Sequence, residues 1–132
     1  MSKGTILVTG ASRGIGKAIS QRLYQDGYHI IGTYNSTKPA ANSAENHNFV
    51  QLDCGNDDSI EAIAQALSDR ELHGIVNNAG TIEFEDFRNF DLKSWRRTFA
   101  VNLDGVLKLT LALKDRLSAN GSIINIASTD GF

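Results

Sequence analysis

A single cysteine in 132 residues, Cys54, excludes an internal disulfide framework and makes a reducing cytoplasm the expected compartment. Long hydrophobic runs are missing as well: stretches such as Ile6-Leu7-Val8 are far too short to cross a bilayer. Charge of neither sign is in excess. The 13 Lys and Arg against 15 Asp and Glu leave a formal charge of −2. There is neither the basic stripe of a nucleic-acid-binding surface nor the like-charge block of a disordered tail. Histidine is scarce, and His29, His47 and His73 lack metal-ligand spacing, so they are expected on the surface or in loops and no metal site is expected. Met1-Ser2-Lys3-Gly4 runs straight into an apolar stretch, so no signal peptide is expected. With no repeats or linkers, the chain reads as one domain, large enough to remove about two-thirds of its unfolded surface from water.

What is present alternates between two periods. Residues 5–9, 28–34, 49–52, 74–77 and 121–127 are short β-rich apolar runs, as expected for parallel strands covered on both faces. Between the first two lies a glycine-rich turn and a helix carrying Ile15, Ala18, Ile19 and Leu23 toward a core, stopped at Gly27. A second helix follows capping residues 56–58, with Ile60, Ile63, Ala64 and Leu67 at i, i+3, i+4 and i+7. Asp91 is the expected N-cap of a long helix over residues 92–117, whose buried face is expected to carry Leu103, Val106, Leu107, Leu113 and Leu117. Residues 35–48, which contain the sole proline, Pro39, read as a loop with at most one helical turn. The alternation predicts an α/β fold, a doubly wound parallel sheet of at least five strands with helices on both faces.

The turn after the first strand reads Thr9-Gly10-Ala11-Ser12-Arg13-Gly14-Ile15-Gly16. A turn in that place presents backbone N–H groups and the positive end of a helix dipole, a ready site for a pyrophosphate. The glycines suit a tight turn, room for a ligand and close helix–sheet packing, although the spacing is G-x-x-x-G-x-G rather than G-x-G-x-x-G. Four further signals follow in order: Asp53 after the third strand, Asn77-Asn78-Ala79-Gly80 after the fourth, Asn102 in the long helix, and Ser128 after Ile123-Ile124-Asn125-Ile126-Ala127. Together these motifs resemble the short-chain dehydrogenase/reductase family, whose members have a Rossmann-type fold. The phosphate loop and Ile31-Gly32-Thr33 are most similar to its β-ketoacyl carrier-protein reductases.

The resemblance implies roles. Gly10, Ser12, Arg13, Gly14, Ile15 and Gly16 would cradle the dinucleotide phosphates, and Asp53 would accept from the adenine amino group with Cys54 beside the ring. Asn78, Ala79 and Gly80 would approach the nicotinamide ribose. Asn102 would hold a water on the proton path, and the Ser128 hydroxyl would bind the substrate carbonyl oxygen. Plainer readings stand beside these: Asp53 as a cap for the next helix, the asparagines as braces between strands, Ser128 as a turn serine, Arg13 as a solvated charge. Family members also use a Tyr-x-x-x-Lys pair on the helix after the fifth strand. The one match here, Tyr34 to Lys38, runs off a strand into Pro39, where i and i+4 share no helix face.

An acid at the end of the second strand selects NAD, whereas NADP needs that charge absent and a cation nearby. Tyr34, Asn35 and Ser36 occupy this end, with Arg13 as the cation, so NADP is the expected cofactor and NAD the alternative. The expected activity is hydride transfer between nicotinamide and a small carbonyl or alcohol substrate, in a homodimer or homotetramer assembled through the long helix, without nucleic-acid or membrane partners. Residues 1–132 are then a dinucleotide-binding domain incomplete at its C-terminus, lacking C-terminal strands and inactive by itself. A non-catalytic dinucleotide-binding module is the alternative.

Overall fold

The computed structural model describes residues 2–39, 48–82 and 86–129. Its centre is β1 (Thr5–Val8), where Leu7 and Val8 are fully buried. A strand buried on both faces needs apolar side chains at successive positions, and Ile6, Leu7 and Val8 supply them. Parallel to it lie β2 (His29–Tyr34) on one side and β4 (Leu72–Asn77) on the other. β3 (Asn48–Gln51) flanks β2 and β5 (Leu117–Asn125) flanks β4, so the order is β3-β2-β1-β4-β5, parallel throughout. The chain leaves β1 in one direction and returns on its other side to form β4. That reversal opens a crevice at the carboxyl ends of β1 and β4, the place where such sheets bind ligands.

Each face has its own core. Ile6, Val8, Ile30 and Val76 pack under α1 (Gly14–Gln25) through Ile19 and Leu23. Leu7, Ile31, Leu72 and Ile75 point the other way, toward α2 (Asp57–Ala66) and α4 (Gly105–Leu113) through Ile60, Ile63, Leu109 and Leu113. Neighbouring residues of one strand thus serve opposite layers, as the two-residue period of a strand dictates. Asn56 caps α2 by accepting from the Ser59 N–H at 3.0 Å.

The helix expected over residues 92–117 is broken. It consists of α3 (Leu92–Phe99), capped as expected by Asp91, a π turn over Ala100–Asp104, α4, and a 3₁₀ turn over Lys114–Arg116, after which Leu117 opens β5. Its buried line is Val101, Gly105, Leu109 and Leu113, while Leu103 and Leu107 are about 60% exposed (59% and 61%). The reason is tertiary. Gly105 rests directly on the Cys54 backbone carbonyl, where any side chain would collide, so that face must turn inward. The wider π turn shifts the helix phase just before it. Two of the histidines lie in strands rather than loops, half-exposed at the surface. His29 opens β2, and His73 lies within β4, its Nδ1 accepting from the Thr5 N–H at 3.1 Å. His47 and most of the loop over residues 35–48 lie outside the described residues.

Candidate functional site

Thr9 follows β1 and is buried, with a hydroxyl that must be satisfied. It donates to the Val76 carbonyl at 3.5 Å and accepts from the Asn78 and Ala79 N–H groups at 3.0 and 2.9 Å. One side chain therefore ties the turn after β1 to the turn after β4 across the crevice. The Asn78 amide reinforces the tie by donating to the Thr9 and Gly10 carbonyls at 3.1 and 3.2 Å. On the other side, the Gly10 N–H donates to Thr33 Oγ1 at 3.1 Å, and the Ala11 N–H to the Thr33 carbonyl at 2.8 Å. Thr9 and Thr33 carry much of this geometry, yet the sequence offered them only as members of their motifs, with no role of their own. A buried threonine at a strand end leaves no local signal.

The three glycines of the loop are required for separate reasons. Gly10 and Gly14 have φ of +62° and +57°, a conformation that side chains disfavour. Above Gly14 there is open space, so its backbone stands clear for a ligand at the start of α1. Gly16 instead lies hard against the Gly10 carbonyl and the Asn78 amide, which draws the helix onto the strand. Arg13 immediately precedes α1 in extended conformation and makes no side-chain cap; it and Ile15 are exposed, and Ser12 is half-buried. Tyr34 ends β2, Asn35 and Ser36 follow on the surface, and no acid occurs over residues 34–39. Lys38 is exposed beyond a bend, so Tyr34 and Lys38 share no helix.

Asp53 lies just beyond β3. Its Oδ1 accepts from the Gly55 N–H at 2.9 Å, and Arg97 of α3 grips both oxygens, with Nη2 3.1 Å from Oδ1 and Nη1 3.2 Å from Oδ2. The cap of α2 being Asn56, Asp53 is left to this turn and this ion pair. The neighbouring Cys54 thiol is pushed up to about 11, first by burial and then by the Asp53 charge, with Arg97 opposing. It stays protonated and unreactive at neutral pH.

Asn77 braces the sheet, its amide donating to Asn125 Oδ1 at 2.8 Å and Thr110 Oγ1 at 3.3 Å. Asn102, in the π turn, meets the Thr81 backbone twice: Nδ2 donates to its carbonyl at 2.7 Å and Oδ1 accepts from its N–H at 2.8 Å. A side chain that competes with helical hydrogen bonds here closes a two-point bridge to the turn after β4, beside Gly80. Ser128 is exposed beyond the end of β5. The described residues contain no cluster of His, Cys, Asp and Glu able to hold a metal. No helix among them is long and apolar enough to cross a membrane.

Comparison with known proteins accounts for nearly the whole chain. The family model for short chain dehydrogenase matches residues 4–132. A 3-oxoacyl-[acyl-carrier-protein] reductase of Vibrio cholerae is 35% identical over 134 residues, covering 95% of this chain and 54% of that protein. A 2-dehydro-3-deoxy-D-gluconate 5-dehydrogenase of Bacillus subtilis is 34% identical over 137 residues, with 97% and 54% covered. Among solved structures, a short chain dehydrogenase of Burkholderia cenocepacia in complex with NADP superimposes with a TM-score of 0.88 at 26% identity, over 97% of this chain and 56% of that one. The chain spans about half the length of the curated relatives it matches.

Proposed function

The chain belongs to the short-chain dehydrogenase family, and on that premise we propose that residues 1–132 form the dinucleotide-binding part of an NADP(H)-dependent oxidoreductase acting on a small carbonyl or alcohol. The observation that carries the reading is the crevice between β1 and β4. A glycine loop with open space above Gly14 and an exposed Arg13 lead into it, and the end of β2, on the other side of β1, is free of acid. These residues fit a phosphorylated dinucleotide. The N-terminus of α1 and the loop N–H groups suit the pyrophosphate, Arg13 a 2′-phosphate that a carboxylate would repel, and Asp53 an adenine amino group. Cys54 adds buried apolar surface beside Asp53. Asn78, Ala79 and Gly80 offer a close backbone approach on the nicotinamide side. The bound dinucleotide supplies hydride chemistry.

The protein's own contribution is to bind, orient and move a proton. The Ser128 hydroxyl donates to the substrate oxygen and polarises the carbonyl. Asn102 bridges to the Thr81 backbone, and in this reading it holds a water on the proton path through the second lone pair of its Oδ1. That the relatives are named as reductases and dehydrogenases favours an oxidoreductase over a non-catalytic module. A homo-oligomer through the outward face of α3 and α4 is part of the reading, supported by exposed Phe99, Leu103, Leu107 and Leu111. So is a reducing cytoplasm, supported by the single buried thiol.

Titration of NADPH and NADH into the complete protein at equal ionic strength tests the cofactor. NADPH is expected to bind more tightly, and Arg13→Ala to weaken NADPH about tenfold, the low end for a charged hydrogen bond, while leaving NADH nearly unchanged. Equal or tighter binding of NADH by the unmodified protein overturns the NADP assignment.

A further inference from the structure

Arg97 was not singled out by any motif, yet it reaches from α3 to a carboxylate 44 residues earlier in the chain. The two groups meet fork to fork, an arrangement that fixes a carboxylate in plane as well as in place. The guanidinium is itself held. A side-chain carbon on Gly55 would come within 2.8 Å of Nη1 and 3.0 Å of a Val101 methyl, so Arg97 lies over bare backbone with an apolar wall beside it. The pair is part-exposed, with side-chain exposures of 39% for Arg97 and 25% for Asp53, and ion pairs of that kind add little stability. Its value is orientation.

A carboxylate offers about four acceptor positions. Among the described residues, the Gly55 N–H and Arg97 Nη2 take two on Oδ1, and Arg97 Nη1 takes one on Oδ2. What remains is one acceptor position on Oδ2, in a plane set by the guanidinium. It welcomes a donor and opposes a lone pair. We propose that Arg97 is a positioning residue that turns Asp53 into a base-selective acceptor, so that the site takes a dinucleotide whose purine carries an exocyclic amino group and rejects one carrying a keto oxygen. This rests on the assignment of Asp53 to the adenine end.

The test measures dissociation constants of the complete protein for NADPH and for its hypoxanthine analogue, in which a keto oxygen replaces the 6-amino donor and N1 gains a proton, by the fluorescence of the reduced nicotinamide. The unmodified protein is expected to prefer the adenine form about tenfold, as for one hydrogen bond to a charged acceptor. Arg97→Gln is expected to shrink the preference below about threefold by weakening the adenine form alone. Arg97→Lys, which keeps the charge without the fork, is expected to do nearly the same. Should Arg97→Gln fail to fold, the ratio in Arg97→Lys decides. A full preference retained in both variants, or equal weakening of both cofactors, would make Arg97 merely structural and overturn the proposal. If the unmodified protein binds both forms equally, Asp53 does not read the base, and the proposal falls while dinucleotide binding stands. If it binds neither, the proposed function falls too.

Discussion

Cys54 shows how far one residue's surroundings reset its chemistry. It sits in the core between the sheet and α4, beside the Asp53 carboxylate, and its thiol is raised from 9.0 to about 11. The folded state therefore holds its thiol proton over a range where the unfolded chain has released it. Stability from this source is fully present below pH 9 and is lost as pH climbs from 9 to about 11. A shift of that size corresponds to about 2–3 kcal/mol across the window. Urea unfolding at pH 8 and at pH 11 should show that loss in the unmodified protein. Cys54→Ala should show a flatter decline from whatever level its smaller side chain leaves. Parallel declines would mean that the thiol ionises in the fold at no cost. The resemblance marked Cys54 as a ring neighbour and said nothing of its ionisation, because its burial and the opposing Arg97 charge depend on chain brought in from α3 and α4.

The chain from Asp91 to Leu113 teaches a similar lesson about an element. Its cap, its helical character and its apolar excess were legible, but not which face turns inward. With leucines on several sides, hydropathy leaves the phase open, and the close seat of Gly105 on Cys54 decides it. Leu109 and Leu113 face the core, and Leu103, Leu107 and Leu111 face out. Leu109→Ala is accordingly expected to cost about 2–5 kcal/mol, as a cavity in a packed core does. Leu107→Ala should stay within about 0.5 kcal/mol, as measured on dissociated protomers. Leu107→Glu should shift sedimentation toward monomer without unfolding the chain. A Leu107→Ala cost equal to that of Leu109→Ala would show that the helix is phased the other way.

At the scale of the whole molecule, the sheet is unequally covered. β1, β2 and β4 are sealed between helices, whereas Ile123, Ile124 and Ile126 in and just after β5 are 43%, 52% and 42% exposed. Isoleucines at consecutive positions of a parallel strand are suited to cover on both faces and a further strand alongside. A polypeptide limited to residues 1–132 presents them to solvent along an open edge, the usual route to strand-to-strand aggregation. Such a polypeptide is expected to be poorly soluble and to show no NADPH oxidation with ketones or β-ketoacyl thioesters. In the proposed role Ser128 would polarise a carbonyl, and a serine hydroxyl cannot deliver a proton at a useful pKa. Soluble monomer with turnover above background would show that the acid–base groups lie within these residues.

Period and punctuation were enough to determine the α/β class, at least five parallel strands, the glycine turn, the Asp91 cap and a cap within residues 56–58, because each depends on residues a few positions apart. Strand ends were less legible. β4 begins at Leu72 and β5 at Leu117, where the pairing of Leu72 with Leu117, rather than composition, extends the strands past His73 and past the irregular, weakly apolar residues 118–121. What the tertiary structure alone decided are the long-range contacts: Thr9 locking two turns together, Asn102 bridging to Thr81, Gly105 setting a helix face, and Arg97 gripping Asp53. Each joins groups more than twenty residues apart. Side-chain hydrogen bonds and close backbone approaches of that kind impose no period on a sequence, so they exist only once the sheet has brought the chain ends of its strands to one edge.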